Sequence, residues 1–248
     1  MGMIARQQWE KEQRRTHILR AAEQVFGGKS AAFVTMDEIA HQANLGKGTL
    51  YLYFTSKDEL CLEIANRFVS EMLEHLKRSA KDGFTGRDRM GNLLASVAEF
   101  VLTHRDRFRV AVTWLTSESS GPSANGRLAE YRRLFGQLFG ALADAVDAGK
   151  KDGSVGAGLG SGVLATELLG ALFGTLSIEL NAARLSQSIP TVAPLEGMSV
   201  GVVRLMLAGL SHRNGAEDSL RSLDSTPVPE AYNDTPNTAS TSEPQAAE

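Results

Sequence analysis

Hydroxyl, phenol and ammonium groups follow one another closely between Thr35 and Leu60, in the run TMDEIAHQANLGKGTLYLYFTSKDEL. Side chains of these types donate hydrogen bonds to phosphate oxygens, and the lysines add positive charge. No nucleophile in the run is paired with a placed general base, so its chemistry is the binding of an anion rather than the breaking of a bond. The surrounding elements must therefore present these groups on one surface.

A short helix is predicted to begin near Met36. Thr35 can accept a hydrogen bond from the backbone N–H of Glu38, and the Glu38 side chain can reach back to the backbone of Thr35, which together form a capping box. The helix should end by Asn44, because the tripeptide Asn44-Leu45-Gly46 contains residues that tolerate a left-handed or turn backbone.

A second short helix follows this turn. Leu50 and Phe54 are four residues apart, so they share a face and point inward. The groups left toward solvent are Lys47, Thr49, Tyr51 and Tyr53. Ser56 can cap the next helix toward Glu59, and Lys57 in its first turn opposes the helix dipole, which indicates a place for an anion. Two helices joined by a short turn, with donors on the outer face of the second, predict a helix-turn-helix that enters the DNA major groove.

These residues resemble the N-terminal domain of the TetR family of one-component transcriptional regulators. The resemblance covers roughly residues 10 to 65 and rests on spaced segments, TMDEIA from Thr35, KGTLY from Lys47 and FTSKDEL from Phe54. It implies an all-α fold, in which a three-helix DNA-binding head with the helix-turn-helix precedes a larger helical domain for ligand binding and dimerisation.

The resemblance also implies two groups of DNA contacts. The group that holds phosphates is Thr35, Thr49, Tyr51, Tyr53 and Lys57, and the group nearest the base edges is Met36, Lys47 and Gly48. Only the second group would specify sequence. Gly46 and Leu52 depart from the Ser and from the aromatic residue or His that are usual in the family, so weaker DNA affinity is expected. For any single residue the alternative is structural: a half-buried tyrosine that packs by its ring, or a solvated Lys57.

Composition fits a DNA-binding protein once the charge is divided along the chain. The 248 residues include 42% hydrophobic and 22% charged residues, and the net charge is −3. Residues 213–248 contain two Arg and seven Asp or Glu, so this segment carries −5 and residues 1–212 carry +2. Its richness in Ser, Thr, Pro and Asn predicts a disordered acidic tail. Positive charge gathers near the chain start, at Arg6, Lys11, Arg14, Arg15 and Arg20.

Several classes of protein are disfavoured. A single cysteine, Cys61, excludes an internal disulfide and suits a cytoplasmic location. The histidines are scattered and no zinc spacing occurs, so neither an enzyme nor a metal or cofactor site is expected. The longest uncharged apolar run, 168–178, would span about 16 Å against a hydrocarbon core of roughly 30 Å, so no membrane span is expected.

Apolar periodicity predicts further helices over about 10–26, 57–80, 86–104, 106–117, 125–148, 161–184 and 195–212. Residues 1–9 are expected to be a mobile arm. The domain boundaries that follow are 1–56 for the head, 57–212 for the ligand-binding and dimerisation domain, and 213–248 for the tail. The last two helices have apolar sides that suit a four-helix interface in a homodimer.

Polar residues near apolar faces of the second domain are candidates for binding a ligand. They are Glu99, Thr103, Thr113, Trp114 and Tyr131. The alternative is that each lies at the edge of its helix and faces water.

The resulting hypothesis is a homodimeric regulator, favoured as a repressor, that binds a palindromic operator in double-stranded DNA. A small, largely apolar effector would release it. The alternative hypothesis is a helical ligand- or protein-binding module that has lost sequence-specific DNA binding, for which Gly46, Leu52 and the modest basic surface are weak support.

Overall fold

The computed structural model describes residues 3–29, 33–79, 85–115, 125–156, 158, 160–182 and 197–210, and these residues form helices without strands, as the sequence predicts. The helices are α1 (Met3–Gly28), α2 (Met36–Gln42), α3 (Lys47–Tyr51), α4 (Lys57–Ser79), α5 (Gly86–Thr103), α6 (Arg105–Leu115), α7 (Asn125–Asp152), α8 (Ser161–Leu180) and α9 (Met198–Gly209). The fold is all-α.

Helix α1 begins at Met3, so the prediction of a mobile arm over residues 1–9 is wrong from residue 3 onward. The segment before Glu10 contains good helix formers and neither Gly nor Pro after Gly2, which lets the helix extend toward the chain start. Arg6 also pairs with Glu10 at 3.0 Å, an arrangement four residues apart that supports an exposed helix.

Most other helix bounds lie within a few residues of the prediction. Helix α7 is the main exception, because it continues to Asp152 rather than ending at Ala148. The expected ends of helices at residues 80, 117, 184 and 212, the start at 195, and the acidic tail 213–248 lie outside the described residues.

The head core is built by α1, α2 and α3 on the first turns of α4. Ile18, Ile39, Leu50 and Phe54 are fully buried there, and they share a cluster with Leu60, Cys61 and Ile64 of α4 and with Val110 of α6. Helices α2 and α3 have only seven and five residues and are too short to be stable alone, so the head depends on their packing against α1 and the start of α4.

A second cluster lies beneath it, formed by the rest of α4 with α5, α6, α7, α8 and α9. It is rich in aromatic contacts: Phe68 lies 5.4 Å from Phe100 and 6.1 Å from Phe108, ring centre to ring centre. Phe108 in turn lies 5.7 Å from Phe173 of α8. This cluster is the core of the larger helical part, called here the body.

Helices α8 and α9 are apolar on more than their buried sides. Val163 and Ile178 of α8, and Val200 and Leu205 of α9, are 45–73% exposed. Among the described residues, α8 is the one helix long and apolar enough to cross a membrane by length and composition, but 44% of the relevant stretch is buried against the rest of the fold. The exposed apolar surface therefore has no partner among the described residues of the chain.

Helix α5 begins in close contact with the end of α7. The Gly86 amide donates to Asp152 at 2.6 Å, and the Arg87 amide donates to Ser154 at 3.2 Å. A Cβ at residue 86 would lie 1.9 Å from the Gly149 nitrogen and 2.4 Å from its Cα, so only glycine fits. Backbone atoms cannot yield as a side chain can, which makes this crossing intolerant of any larger residue.

Gly86→Ala is expected to destabilise the protein by roughly 3 kcal/mol or more, because the α5–α7 crossing must open. The matched control is Gly136→Ala, since a Cβ at this α7 position meets nothing within 4 Å. That control should instead stabilise by about 0.5–1 kcal/mol, as Ala does in a helix. Urea unfolding of the two variants measures both effects, and equal stability would contradict the crossing described here.

Candidate nucleic-acid interface

The start of α2 is fixed by the predicted capping box. The Glu38 amide donates to Thr35 Oγ1 at 3.3 Å, and the Thr35 amide donates to Glu38 Oε2 at 2.9 Å. Lys29 forms an ion pair with the same carboxylate. Hydrogen bonding by Lys29, and then by the backbone and hydroxyl of Thr35, lowers the pKa of Glu38 to about 2.

The turn between α2 and α3 also follows the prediction. Asn44 has a φ of 52°, the left-handed conformation that asparagine tolerates. The Leu45 amide donates to the Ala40 carbonyl at 2.9 Å, which closes the turn onto α2. With Leu50 and Phe54 fully buried beneath, the outer face of α3 has a fixed orientation.

That outer face carries most of the residues expected to contact DNA. Lys47, Gly48 and Tyr51 are exposed, whereas Thr49, Tyr53 and Lys57 are half-buried. Leu52 is 80% exposed beside them. Gly46 caps α3 without a side-chain hydrogen bond, as its residue type requires.

Thr35 and Met36, the two expected DNA contacts at the start of α2, are less available than the residues on α3. Met36 is only 9% exposed and belongs to the head core cluster, so little of its side chain reaches the surface. Thr35 is exposed, but its hydroxyl already donates to Glu38 at 3.0 Å and accepts from the Glu38 amide.

Lys47 is engaged by an acidic neighbour. Its Nζ lies 2.8 Å from Asp37 Oδ1 and 2.9 Å from Oδ2, and both side chains are well exposed. The hydrogen bond and the charge of Asp37 raise the pKa of Lys47. A negative group therefore lies beside the lysine that is expected to contact DNA, which the sequence alone did not suggest.

Further positive charge lies along α1. Lys11 and Arg14 line a cleft that α1 forms with Leu45 and Tyr53, next to the α3 face. Arg15 turns inward instead and pairs with Glu63 at 3.1 Å. Lys11 and Arg14 are thus placed on the same side of the head as Tyr53.

Among the described residues expected to bind a ligand, Tyr131 is not brought together with Glu99 and Thr103. Glu99 and Thr103 are exposed, and they line a surface cleft with His75 and Arg78 of α4. Tyr131 is 3% exposed and lies in the body core against Phe135, where burial raises the pKa of its phenol. The side chains of Thr113 and Trp114 lie outside the described residues. Helical periodicity could not tell which polar residue faces the core.

Asn66 is a buried polar residue that the sequence reasoning missed. It lies in α4, and its Nδ2 donates to the Arg127 carbonyl of α7 at 3.0 Å. Elsewhere in the described part of the chain no group of three or more His, Cys, Asp or Glu side chains is placed to hold a metal. Burial raises the pKa of the Cys61 thiol to about 12, so this cysteine is unreactive and packs as a small apolar residue.

Residues 18–64 match the family model described as "Bacterial regulatory proteins, tetR family". The chain is 30% identical over 91 residues to the HTH-type transcriptional activator FasR of Mycolicibacterium smegmatis. The matched region covers 37% of this chain and 42% of that protein. It is 28% identical over 147 residues to the HTH-type transcriptional repressor KstR2 of Rhodococcus jostii. This second matched region covers 58% of this chain and 69% of that protein. The chain spans half or less of the length of several curated relatives that it matches.

Among solved structures, the chain is similar to the transcriptional regulator FadR from Bacillus subtilis, crystallised in complex with stearoyl-CoA. The TM-score is 0.59 at 17% identity, over 78% of this chain and 98% of that one. The likeness concerns the fold, a helix-turn-helix head followed by a larger helical domain.

Asp37→Asn is expected to raise the affinity for DNA several-fold, because it removes a negative charge from the interface and releases Lys47. Binding titrations at several salt concentrations should show a slope of log affinity against log salt that steepens by about one per head. Asp144→Asn, on an exposed position of α7, removes the same charge elsewhere and serves as the control. Unchanged affinity in Asp37→Asn would mean that Lys47 keeps its acidic partner on DNA.

The low pKa of Glu38 makes the capping box sensitive to acid in a defined window. Its pKa falls from an ordinary 4.5 to about 2 on folding, so the carboxylate stabilises the head at all pH values above 4.5. That contribution is lost progressively as the pH falls from 4.5 to 2. The free energy of unfolding of the wild type should exceed that of Glu38→Gln by a constant amount above this window, and the difference should shrink within it. A difference independent of pH would contradict the assignment.

Proposed function

We propose that this chain, whose residues 18–64 match the tetR family model, is a ligand-responsive transcriptional regulator that binds a palindromic operator as a homodimer. The observation that carries the proposal is the outer face of α3, where Lys47, Gly48 and Tyr51 are exposed above a fully buried Leu50 and Phe54. A rigidly held face of this kind fits the major groove.

Within that face we assign different roles to different residues. Lys47 can donate to guanine O6 or N7, and Gly48 leaves room for the backbone to approach the bases. Thr49, Tyr51, Tyr53 and Lys57 are assigned to phosphates, which set the register on the duplex. A base contact by Met36 requires its largely buried side chain to turn outward, and a role for Thr35 requires its hydroxyl to exchange a Glu38 bond for a phosphate.

Dimerisation is supported by the exposed apolar side chains of α8 and α9. Two helices from each of two chains can form a four-helix interface, and that arrangement would cover Val163, Ile178, Val200 and Leu205. A two-fold dimer also suits a palindrome, because two heads about 34–36 Å apart reach successive major grooves on one side of the duplex.

We assign residues 1–56 to the head and 57–212 to the body, with α4 connecting them. The body would bind a small, largely apolar effector, and the aromatic cluster around Phe68, Phe108 and Phe173 supports this chemistry. An acyl-CoA is the first class to test, since the FadR structure contains stearoyl-CoA. By linkage, an effector that weakens operator binding must itself bind more weakly to the protein–DNA complex, by the same factor.

We favour repression, in a cytoplasmic setting, because a dimer that fills two major grooves excludes other proteins from the same DNA. The two named relatives include one repressor and one activator, so the position of the operator relative to a promoter decides the direction. The second candidate function, a helical binding module without sequence-specific DNA binding, is favoured by the Lys47–Asp37 pair and the exposed Leu52.

Selection of bound sequences from a random duplex pool separates the two functions. The purified full-length protein, at moderate salt and without effector, should enrich one palindrome with half-sites centred about 10 base pairs or a multiple apart. A folded dimer that enriches no sequence, with or without added acyl-CoA, would favour the binding module.

Two substitutions then distinguish a residue that contacts base edges from one that contacts phosphates. Lys47→Ala should change the base preference at one position of each half-site, because it removes a base-edge donor. Lys57→Ala should weaken all sequences alike and reduce the salt slope by about one per head, because it removes a phosphate contact. Repeating the selection and the salt titration with each variant measures both, and an unaltered preference in Lys47→Ala would make its assigned role wrong.

A further inference from the structure

The first turn of α7 is held to α4 by a partly buried ion-pair cluster. The Arg127 guanidinium pairs with Glu63, Nε to Oε2, at 3.1 Å, and its Nη1 pairs with Glu59 Oε1. The two carboxylates are only 11% and 18% exposed. The backbone of the same residue is tied to α4 as well, because its carbonyl accepts from Asn66.

One arm of this cluster ends at the junction between α3 and α4. Glu59 uses its other oxygen, Oε2, to accept from the backbone amide and from the hydroxyl of Thr55, both at 2.7 Å. Thr55 lies between Phe54, the buried anchor that follows α3, and Ser56, which caps α4. A single carboxylate therefore connects the body helix α7 to the segment that leaves the DNA-facing helix.

A second arm reaches the same junction through α1. Glu63 Oε2 pairs with Arg15 Nη2 at 3.1 Å, and the Arg15 guanidinium carbon lies 4.5 Å from the centre of the Phe54 ring. Contact of a guanidinium with an aromatic ring is attractive and holds both groups in place. Both arms thus start at Arg127 and converge on Phe54 and Thr55.

We propose that Arg127 is a positioning residue for DNA reading, and that its contacts with Glu59 and Glu63 set the orientation of α3 relative to the body. The proposal rests on the proposed function. These side-chain contacts connect the body to the head in addition to helix α4, which runs through both. Tyr131 lies one turn further along α7 in the body core, so an effector that displaces this part of α7 would alter the cluster.

Arg127 can influence the head through the charge of its two carboxylate partners, without contacting DNA itself. Arg127 does not touch the DNA-facing surface of α3, since its partners are Glu59 and Glu63 on the inner side of α4. Removing Arg127 takes a positive charge away from Glu59 and Glu63, and it frees the Glu59 side chain to move away from Thr55. The expected consequence is a change in how well α3 fits its groove, without the loss of a phosphate contact.

The test compares operator binding by full-length Arg127→Ala, Arg127→Lys and wild type. Arg127→Ala should lose about tenfold in affinity for the selected palindrome, while its affinity for unrelated duplex and its salt slope stay unchanged. Arg127→Lys should recover part of the loss. Arg133→Ala is the control, because Arg133 lies on the same helix and pairs only locally, with Glu130 at 2.6 Å.

A second variant, Glu59→Gln, tests the same proposal if Arg127→Ala fails to fold. Glu59→Gln keeps the size of the side chain but removes its charge, and it should also weaken operator binding. Combining it with Arg127→Ala should cost less than the two separate losses multiplied together, because both act through one interaction. Independent effects, or full operator affinity in a folded Arg127→Ala or Glu59→Gln dimer, would overturn the proposal. Failure of the wild type itself to select a palindrome would instead reject the proposed function.

Discussion

Helix α4 belongs to two hydrophobic cores at once, and the rest of the fold depends on this double burial. Its first turns place Leu60, Cys61 and Ile64 in the head, and later turns place Phe68 and Met72 in the body. With 23 residues the helix is about 35 Å long. A helix packed over its whole length moves as one piece, so a shift of the body cannot leave the head where it was.

The charges of the head impose a second constraint, which acts on affinity rather than on shape. Lys47 is paired with Asp37, and Arg15 is paired with Glu63 within the fold. Fewer cations of the head are therefore available to an outside anion than the sequence contains. For the function proposed above, this modest electrostatic attraction leaves more of the discrimination to base contacts.

The sequence predicted the head well because its signals are local. A capping box spans four residues, the turn needs one left-handed residue at Asn44, and Leu50 with Phe54 is a four-residue repeat. The placement of polar residues in the body was not predicted, because it depends on neighbours far along the chain. Arg127 meets Glu59 across 68 residues, and Asn66 meets the Arg127 carbonyl across 61. The burial of Met36 was not predicted for the same reason, since it depends on the other helices that form the head core.

Buried polar groups show where the body departs from a purely apolar bundle. Among the described residues Asn66, Thr175 and Ser199 are the buried polar ones, and Thr175 bonds within its own helix to the Ala171 carbonyl. Ser199 lies at the start of α9, where Glu179 of α8 accepts from its amide at 3.0 Å. Asn66 instead joins the middle of α4 to α7, beside the Arg127 ion pairs. An apolar residue there would avoid the desolvation of the amide but would leave the α4–α7 register unspecified. The polar contacts between α4 and α7 therefore fix the relative position of two helices that apolar packing alone would allow to slide.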